Sequence, residues 1–287
     1  MVNILFLILL ARLGGVLPCG KQNMPPAAFI TKDNLWRLKL WNKKRNKASL
    51  GVLVFSYAWL DWFHPDRMGA QLRMLLPFLE AMLAEAQRDS PYCTVGVMVD
   101  FVCLPQVPRE TEADQLAFTR SLNNMFEWYY HQNTYVLLVT TAPPDASQYA
   151  RRLHSSRGWC VMEKNAAMAV KKSHCLRDFS GHKGAADFGD YFAKPDTCLG
   201  QMKAGREPPR SPPVFGEFMR TGVASDEVQF TVKEDAGLVS RLYQEGFVKS
   251  VNRVAAKERG KFLNFQKLDW GDEEGAVLVE ALRYAAE

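Results

Sequence analysis

An aromatic and an acidic side chain, one helical turn apart, are the residues of this chain best suited to chemistry. Trp159 and Glu163 lie in the stretch HSSRGWCVMEK (154–164), which begins a predicted helix that extends to about Ser173. Residues at i and i+4 share a helix face, so the indole and the carboxylate should point the same way. Beside an indole, a carboxylate can bind the hydroxyls of a ribose or stabilise a sugar cation, and it can equally be a buried structural acid that holds a loop.

Three strand–loop–helix units must position this pair. Apolar runs at 50–57, 95–101 and 134–140 are nearly continuous, which is typical of strands buried on both faces of a parallel sheet. Helices are predicted after the first two runs, at 68–88 and 110–130. Repeated units of this kind predict a parallel sheet with right-handed crossovers and helices on both faces.

The alternation of strands and helices resumes after an irregular insertion at 177–226, which contains several glycines and prolines. Strands at 227–232 and 262–268 and helices at 233–248 and 272–285 complete the predicted set. The sequence therefore predicts an α/β fold, a flavodoxin-like three-layer αβα arrangement with a central parallel sheet of about five strands.

Ligands of such sheets bind outside the carboxyl ends of the strands. The three loops at those ends run from Ser56 to Asp61, from Asp100 to Gln106 and from Thr140 to Glu163. We expect these loops to meet at one rim of the sheet. The site candidates on them are Tyr57, Trp59, Asp61, Asp100, Arg157, Trp159 and Glu163.

The first 49 residues are predicted to be a lead-in to a domain that spans 50–287. The apolar run Val2–Ala11 has the length of a leader's hydrophobic region, and a signal peptide or N-terminal anchor stays open. The run is too short, and too soon interrupted by Arg12, to predict a stable membrane span. The basic linker that follows, with KKRNK at 43–47, is interpreted as a solvated approach to the domain, with contact to phosphate or a membrane surface as the alternative.

Composition bounds the class of protein. The 287 residues are 47% hydrophobic, which predicts a globular protein with a sizeable core rather than a disordered chain. A formal net charge of +5 is a mild excess, and no nucleic-acid partner is predicted from it. The 6 cysteines form no C-x-x-C pair, so free thiols in a reducing compartment, the cytoplasm, are expected.

Other chemistries find less support in the sequence. His154, Cys160, His174, Cys175 and His182 match no familiar zinc spacing, so no metal is predicted. Cys160 follows a helix start, where a thiol pKa can fall, but no partner set for a cysteine nucleophile is recognisable. No glycine-rich phosphate loop follows the first strand, which argues against P-loop hydrolysis and hydride transfer, and no cofactor is predicted.

Several motifs resemble those of the Toll/interleukin-1 receptor (TIR) domain. The resemblance rests on VFSY at 54–57 with Asp61, on a second strand that ends in an acid, and above all on SSRGWCVME at 155–163. The last motif is closest to the Ser-x-Trp-Cys-x-x-Glu helix start of plant-type TIR domains. The match covers roughly residues 50–175, and the order of predicted elements agrees to the C-terminus.

Finer motifs narrow the resemblance to one group. Tyr57-x-Trp59, HPD at 64–66 and DFVCLPQ at 100–106 are similar to a divergent TIR-like group in large proteins of protists and algae. In that group the domain often precedes leucine-rich repeats, and 268–282 resembles half of one ribonuclease-inhibitor-type repeat. Because a stable stack needs three or more repeats, we interpret 262–287 as the last strand–helix unit of the domain or as the stub of an array.

The resemblance implies an activity and a set of roles. Many TIR domains cleave NAD at the nicotinamide–ribose bond, and Glu163 would then be the catalytic residue, with NAD as a substrate rather than a cofactor. Trp159, Tyr57 and Trp59 would stack on adenine or nicotinamide, and Arg157 would meet a phosphate. The implied setting is signal transduction in innate immunity or defence, with self-association or other TIR-like domains as partners.

Two other functions stay open at the level of the sequence. In the first, the same residues only pack, and the domain is a non-catalytic, self-associating adaptor or scaffold. In the second, the carboxylate serves glycosyl transfer between nucleosides on a related fold. The chain departs from many signalling TIR domains in lacking the Arg-Asp-x-x-Pro-Gly pattern after the second strand and in the length of 177–226.

Overall fold

The sheet at the centre of the protein has five strands. A computed structural model describes residues 1–36, 50–88, 91, 93–143, 153–181, 205–255, 263, 265 and 268–287. The strands of these residues are β1 (Val2–Asn3), β2 (Gly51–Tyr57), β3 (Val95–Met98), β4 (Tyr135–Val139) and β5 (Leu176–Asp178). Their spatial order is β1-β3-β2-β4-β5, and every neighbouring pair is parallel except β1 and β3.

Helices cover both faces of the sheet. They are α1 (Ile4–Arg12), α2 (Ala70–Gln87), α3 (Asp100–Cys103), α4 (Glu112–Asn124), α5 (Phe126–Tyr130), α6 (Gly158–Val170), α7 (Pro212–Ala224), α8 (Asp235–Ala255) and α9 (Asp272–Ala286). One hydrophobic core packs α1 and α2 against one face of the sheet. A second core packs the helices from α5 through α9 against the other face. The predicted three-layer α/β fold with a central sheet of about five strands is confirmed, and the sheet is mostly parallel because only β1 runs antiparallel to its neighbour.

Side chains of β2 alternate between these two cores, as the period of a strand requires. Leu53 and Phe55 belong to the core with α1 and α2, whereas Val54 belongs to the core with α6. Ser56 shares the alternation of Val54 and hydrogen-bonds to a residue of α6. A polar side chain therefore stands on the α6 side of the central strand, two residues before the strand gives way to the aromatic loop.

The two strands predicted after the insertion are not found among the described residues. One prediction is wrong, and the other falls on a stretch of which only part is described. The stretch 227–232 is not a strand, and only Gln229 forms an isolated bridge, with Arg157. Of 262–268, the described residues are not in a strand, and the others lie outside the described part of the chain. The fourth parallel strand is β5 instead, at the start of the stretch predicted to be irregular.

Smaller differences concern the ends of elements. The second predicted strand stops at Met98, and Asp100 begins the short helix α3 instead of ending the strand. The single helix predicted at 110–130 is two helices, α4 and α5, which meet at Met125. Helix α7 was not predicted, although Pro212 at its first turn is a common helix start.

The N-terminal segment packs into the domain, in contrast to the predicted boundary at residue 50. Val2 pairs with Val97 of β3, and the buried side of α1 faces α2. Further along, the Lys21 N–H donates to the Leu104 carbonyl at 3.0 Å. The segment 1–30 is therefore part of the structure that supports the 100–106 loop. Within the described residues, no helix has both the length and the apolar character needed to cross a bilayer.

Helix α6 is held from several sides by the C-terminal helices. Most of its residues are buried, because α8 and α5 pack against it. Tyr243 of α8 is fully buried, and its carbonyl accepts a hydrogen bond of 3.0 Å from the Tyr130 hydroxyl of α5. This packing fixes the position of α6, and with it the position of Glu163, relative to the sheet.

Candidate functional site

A cavity of about 370 Å³ lies at the rim formed by the carboxyl ends of the parallel strands. Its walls come from the loop after β2, from α3 and α4, from the first turns of α6 and from the segment 229–235. The lining residues with polar or aromatic side chains are Tyr57, Trp59, Trp62, Asp100, Gln106, Phe118, Arg157, Trp159, Cys160, Glu163, Gln229, Phe230, Thr231 and Asp235. This volume and lining are of the kind that small-molecule sites use.

Glu163 is the buried acid of this cavity. Its residue is only 5% exposed, and its Oε2 accepts a hydrogen bond of 2.7 Å from the Ser56 hydroxyl. Burial is the largest cause of a raised pKa, which reaches about 8, with the nearby charge of Asp100 adding to it and the Ser56 hydrogen bond opposing it. Near neutral pH the Glu163 carboxyl group is therefore held largely in its neutral form.

His154 contacts Ser56 and is not among the residues that line the cavity. Its Nε2 is 2.8 Å from the Ser56 hydroxyl oxygen, so that Ser56 bridges the imidazole and the Glu163 carboxyl group. Burial lowers the pKa of His154 to about 4. The imidazole is neutral at physiological pH and offers one N–H and one lone pair.

Tyr57 and Asp100 form a second polar pair on the wall of the cavity. The Tyr57 hydroxyl donates to Asp100 Oδ1 at 2.6 Å, and the Phe101 N–H donates to the same oxygen at 2.6 Å. Burial raises the pKa of Asp100 despite these hydrogen bonds, and burial also raises the pKa of Tyr57. The pair fixes the end of β2 to the start of α3.

Aromatic rings make up much of the remaining wall. The Trp159 indole N–H donates to Asp235 Oδ2 at 2.9 Å, which ties α6 to the start of α8. The ring of Trp59 packs edge-on against Phe101, with 5.3 Å between centroids. Arg157 donates from Nη2 to the Trp59 carbonyl at 3.1 Å. Trp159, Trp59 and Arg157 are thus each fastened by a contact with another element.

The structure brings together six of the seven predicted site residues. Glu163 and five of the predicted substrate-binding residues line the cavity: Tyr57, Trp59, Asp100, Arg157 and Trp159. Asp61 is not among the lining residues, and its Oδ1 accepts a hydrogen bond of 2.7 Å from the Trp62 N–H. The carboxylate caps its own loop, so the structure provides no substrate contact for it.

The residues that surround Glu163 from other elements are not among those predicted from the sequence. Ser56 and His154 contact it or its partner, and Asp235 and Phe230 close the cavity from the C-terminal part of the chain. The alternation along β2 could have placed Ser56 on the α6 side of the sheet. No sequence signal places Asp235 beside Trp159, because that contact depends on the packing of α8.

The residues weighed as metal ligands do not come together. No group of three or more His, Cys, Asp and Glu side chains with metal-binding geometry occurs in the described part of the chain, from which His182 is missing. Burial raises the pKa of the Cys160 thiol well above its usual range, which disfavours the thiolate that a nucleophile or a metal site needs.

Comparisons of the chain with protein-family models, with curated proteins and with solved structures find no match.

Proposed function

We propose that the protein hydrolyses the nicotinamide–ribose bond of NAD through Glu163, as a TIR-like domain in signalling or defence that is switched on by self-association. The observation that carries the proposal is the position of Glu163. It is a buried carboxyl group in a cavity of about 370 Å³ whose other walls are largely aromatic. Glu163 is therefore largely shielded from solvent and still faces a space that can hold a ring-bearing ligand.

The chemistry requires a negative charge beside the ribose. As the glycosidic C–N bond breaks, nicotinamide leaves with the bonding electron pair, and positive charge develops on the sugar. A Glu163 carboxylate would stabilise that charge, water would then add to the sugar carbon, and one proton would be released to solvent. The bound nicotinamide ring of NAD is itself cationic, so it favours the ionised form of Glu163 and offsets the effect of burial.

The other lining residues suit the remaining parts of this substrate. Trp159, Trp59 and Tyr57 offer aromatic surface for a planar base or a cationic ring. Arg157 supplies the positive charge among the described residues that line the cavity, where a phosphate oxygen would be favoured.

The test is release of nicotinamide from NAD by the concentrated, purified protein. Glu163→Gln keeps the shape of the side chain but not its charge, and we expect it to lower the rate by roughly a hundredfold to a thousandfold, the usual effect of losing one electrostatic stabiliser. Glu207→Gln is the matched control, since Glu207 is an exposed acid that pairs with Lys164 at 2.7 Å. An equal rate for Glu163→Gln and the wild type would remove Glu163 from the mechanism.

A non-catalytic scaffold is the second candidate, and one observation favours it. The polar atoms of Trp159 and Tyr57 already have partners within the protein, as expected of residues that only pack. In that case the concentrated protein would release no nicotinamide, whereas light scattering would still detect self-association, and Glu163→Gln would leave that association unchanged. Nucleoside glycosyl transfer is distinguished in the same assay by adding a free base and analysing the products for a new nucleoside.

A further inference from the structure

Glu163 ends a buried series of three side chains that leads from the cavity into the interior. We propose that Ser56 and His154 are positioning residues for Glu163: the imidazole orients the Ser56 hydroxyl so that it donates to the carboxylate and holds it in one orientation toward the substrate. The inference rests on the proposed function of Glu163, and its test includes a measurement that does not depend on turnover.

The distances restrict how the protons can be arranged. The Ser56 oxygen is 2.7 Å from Glu163 Oε2 and 2.8 Å from His154 Nε2, and a hydroxyl has a single proton to donate. When Glu163 is ionised, Ser56 donates to it and accepts a proton from Nε2–H of the imidazole. When neutral Glu163 carries its proton on Oε2, that O–H donates to Ser56, and Ser56 donates to an unprotonated Nε2. When the proton is on the other carboxyl oxygen, Ser56 donates to Oε2 as it does to the carboxylate. The tautomer of His154 is therefore coupled to the presence of a proton on Glu163 Oε2.

Burial makes these two hydrogen bonds hard to replace. Ser56 is 0% exposed and His154 is 3% exposed, so water does not reach either side chain. The three side chains come from three different segments: Ser56 from β2, His154 from the turn before α6 and Glu163 from α6 itself. The geometry of the series therefore depends on the tertiary fold. Loss of either side chain would leave a buried polar partner without its hydrogen bond, which costs more than loss of an exposed one.

Several other ionisable groups lie around Ser56, His154 and Glu163. Those that act on Glu163 or lie beside it are Tyr57, Asp100, Tyr129, Cys160 and Arg157, and those that act on His154 are Asp178 and Lys164. Burial raises the pKa of Tyr57, Tyr129 and Cys160, so these three stay neutral near pH 7. Asp100 is left as the acid whose charge opposes ionisation of Glu163, and hydrogen bonds from Ser56 and, to a smaller extent, Tyr129 favour it.

A purely structural role and a positioning role predict different results. If Ser56 and His154 only filled space, their loss would alter the stability of the fold but not the titration of Glu163. If they hold the carboxylate, their loss must move that titration to higher pH, because the larger of the hydrogen bonds that favour the ionised form is gone.

The test uses Ser56→Ala, His154→Phe and His154→Gln in the full chain. Glutamine can supply an N–H donor near the position of Nε2, and phenylalanine cannot. The carboxyl group of Glu163 is titrated by carbon-13 NMR and assigned from the signal that is lost in Glu163→Gln, and kcat/KM for nicotinamide release is measured against pH. Ser211→Ala is the matched control, because Ser211 is also buried and donates to a glutamate, Glu280, at 2.8 Å.

We expect Ser56→Ala and His154→Phe to shift the titration upward and to lower kcat/KM at pH 7 by roughly tenfold to a hundredfold, the range for a hydrogen bond to a charged group. His154→Gln should recover most of the loss, and Ser211→Ala should show none. A Glu163 titration that is unchanged in folded Ser56→Ala and His154→Phe would overturn the proposal.

Two further outcomes are decisive. If Ser56→Ala does not fold, the comparison of His154→Gln with His154→Phe tests the same hydrogen bond, and equal titrations in these two variants contradict a positioning role for His154. If no variant and no wild-type sample releases nicotinamide, the proposed activity is wrong, while the carboxyl titration still shows whether the series positions Glu163.

Discussion

Two of the acids that line the cavity, Asp100 and Glu163, are coupled, because the charge on Asp100 opposes ionisation of Glu163. Asp100 raises the pKa of Glu163, whereas the hydrogen bond from Ser56 lowers it, and both effects are smaller than that of burial. The pH at which Glu163 becomes a carboxylate is therefore set by Asp100 and Ser56 as well as by the burial of Glu163. If ionised Glu163 is the active form, activity must rise with pH through the pKa of about 8 in the free protein.

This arrangement gives a prediction for Asp100→Asn. The amide keeps an oxygen that can accept from Tyr57 but carries no charge, so the pKa of Glu163 should fall and the rise of kcat/KM should move to lower pH. The measurement is the pH profile of kcat/KM for nicotinamide release, with Asp272→Asn, at an exposed position, as the control. A profile that stays in place or moves to higher pH would contradict the assigned effect of Asp100.

The segment 228–232 was wrongly predicted to be part of a strand, and in the structure its residues 229–232 line the cavity instead. Val228, Phe230 and Val232 alternate with polar residues, which is the pattern of a strand. In the structure Val228 fills the space above Gly222, and Phe230 lies against Gly158, so the apolar side chains anchor a loop instead. The pattern identifies Val228 and Phe230 as inward but not what they pack against, and it fails for Val232, which is 52% exposed.

Gly158 provides a test of that loop. A Cβ at this position would lie 1.9 Å from the Phe230 ring, so Gly158→Ala must displace a ring that lines the cavity. We expect a loss of roughly 1–3 kcal/mol in the free energy of unfolding, the usual cost of overpacking, together with a raised KM for NAD.

The control for this change is another helical glycine, Gly216 of α7. A Cβ there meets no atom within 4 Å, so Gly216→Ala should leave KM unchanged and stabilise the helix by up to about 1 kcal/mol. Denaturant unfolding followed by circular dichroism gives both free energies. Equal stability and equal KM for the two alanine variants would show that the Phe230 contact is unimportant.

How far the sequence predicts the fold depends on the length of each apolar run. The runs around β2, β3 and β4 are long enough to be recognised, whereas β1 and β5 have only 2 and 3 residues and depend on their neighbours in the sheet. The rim was predictable because parallel strands end at one edge, which brings Tyr57, Asp100 and Glu163 together. The hydrogen bond between Trp159 and Asp235 was not predictable, because the two residues are far apart in the sequence and meet only through the packing of α8.

For the whole molecule, the buried ionisable groups make stability depend on pH. Glu163 has a pKa of about 8 in the fold against an ordinary value of 4.5, so between these values the folded protein keeps a proton that the unfolded chain has lost. Stability then falls as pH rises through this window. His154 acts in the opposite direction, since its pKa is lowered to about 4 from 6.5 and stability is lost as pH falls through that range.

We therefore predict that Glu163→Gln stabilises the protein at alkaline pH. The neutral amide removes the cost of ionising a buried acid, so the gain over wild type should be small near pH 4.5 and grow toward pH 8, with a slope that approaches about 1.4 kcal/mol per pH unit. Urea unfolding at several pH values measures it. A gain independent of pH would mean that Glu163 ionises in the fold as easily as in the unfolded chain.

The packing of the N-terminal segment 1–30 against the rest of the domain has a practical consequence for the choice of chain boundaries. The carbonyl of Leu104 and the backbone of Gln106, both lining residues of the cavity, are bonded to Lys21 and Gln22 of the N-terminal segment. A shortened protein that begins at residue 50 would uncover the apolar face of α2 and release the loop on one side of the cavity. Inactivity of such a fragment would say nothing about Glu163, so every assay above belongs with the chain from Met1 onward.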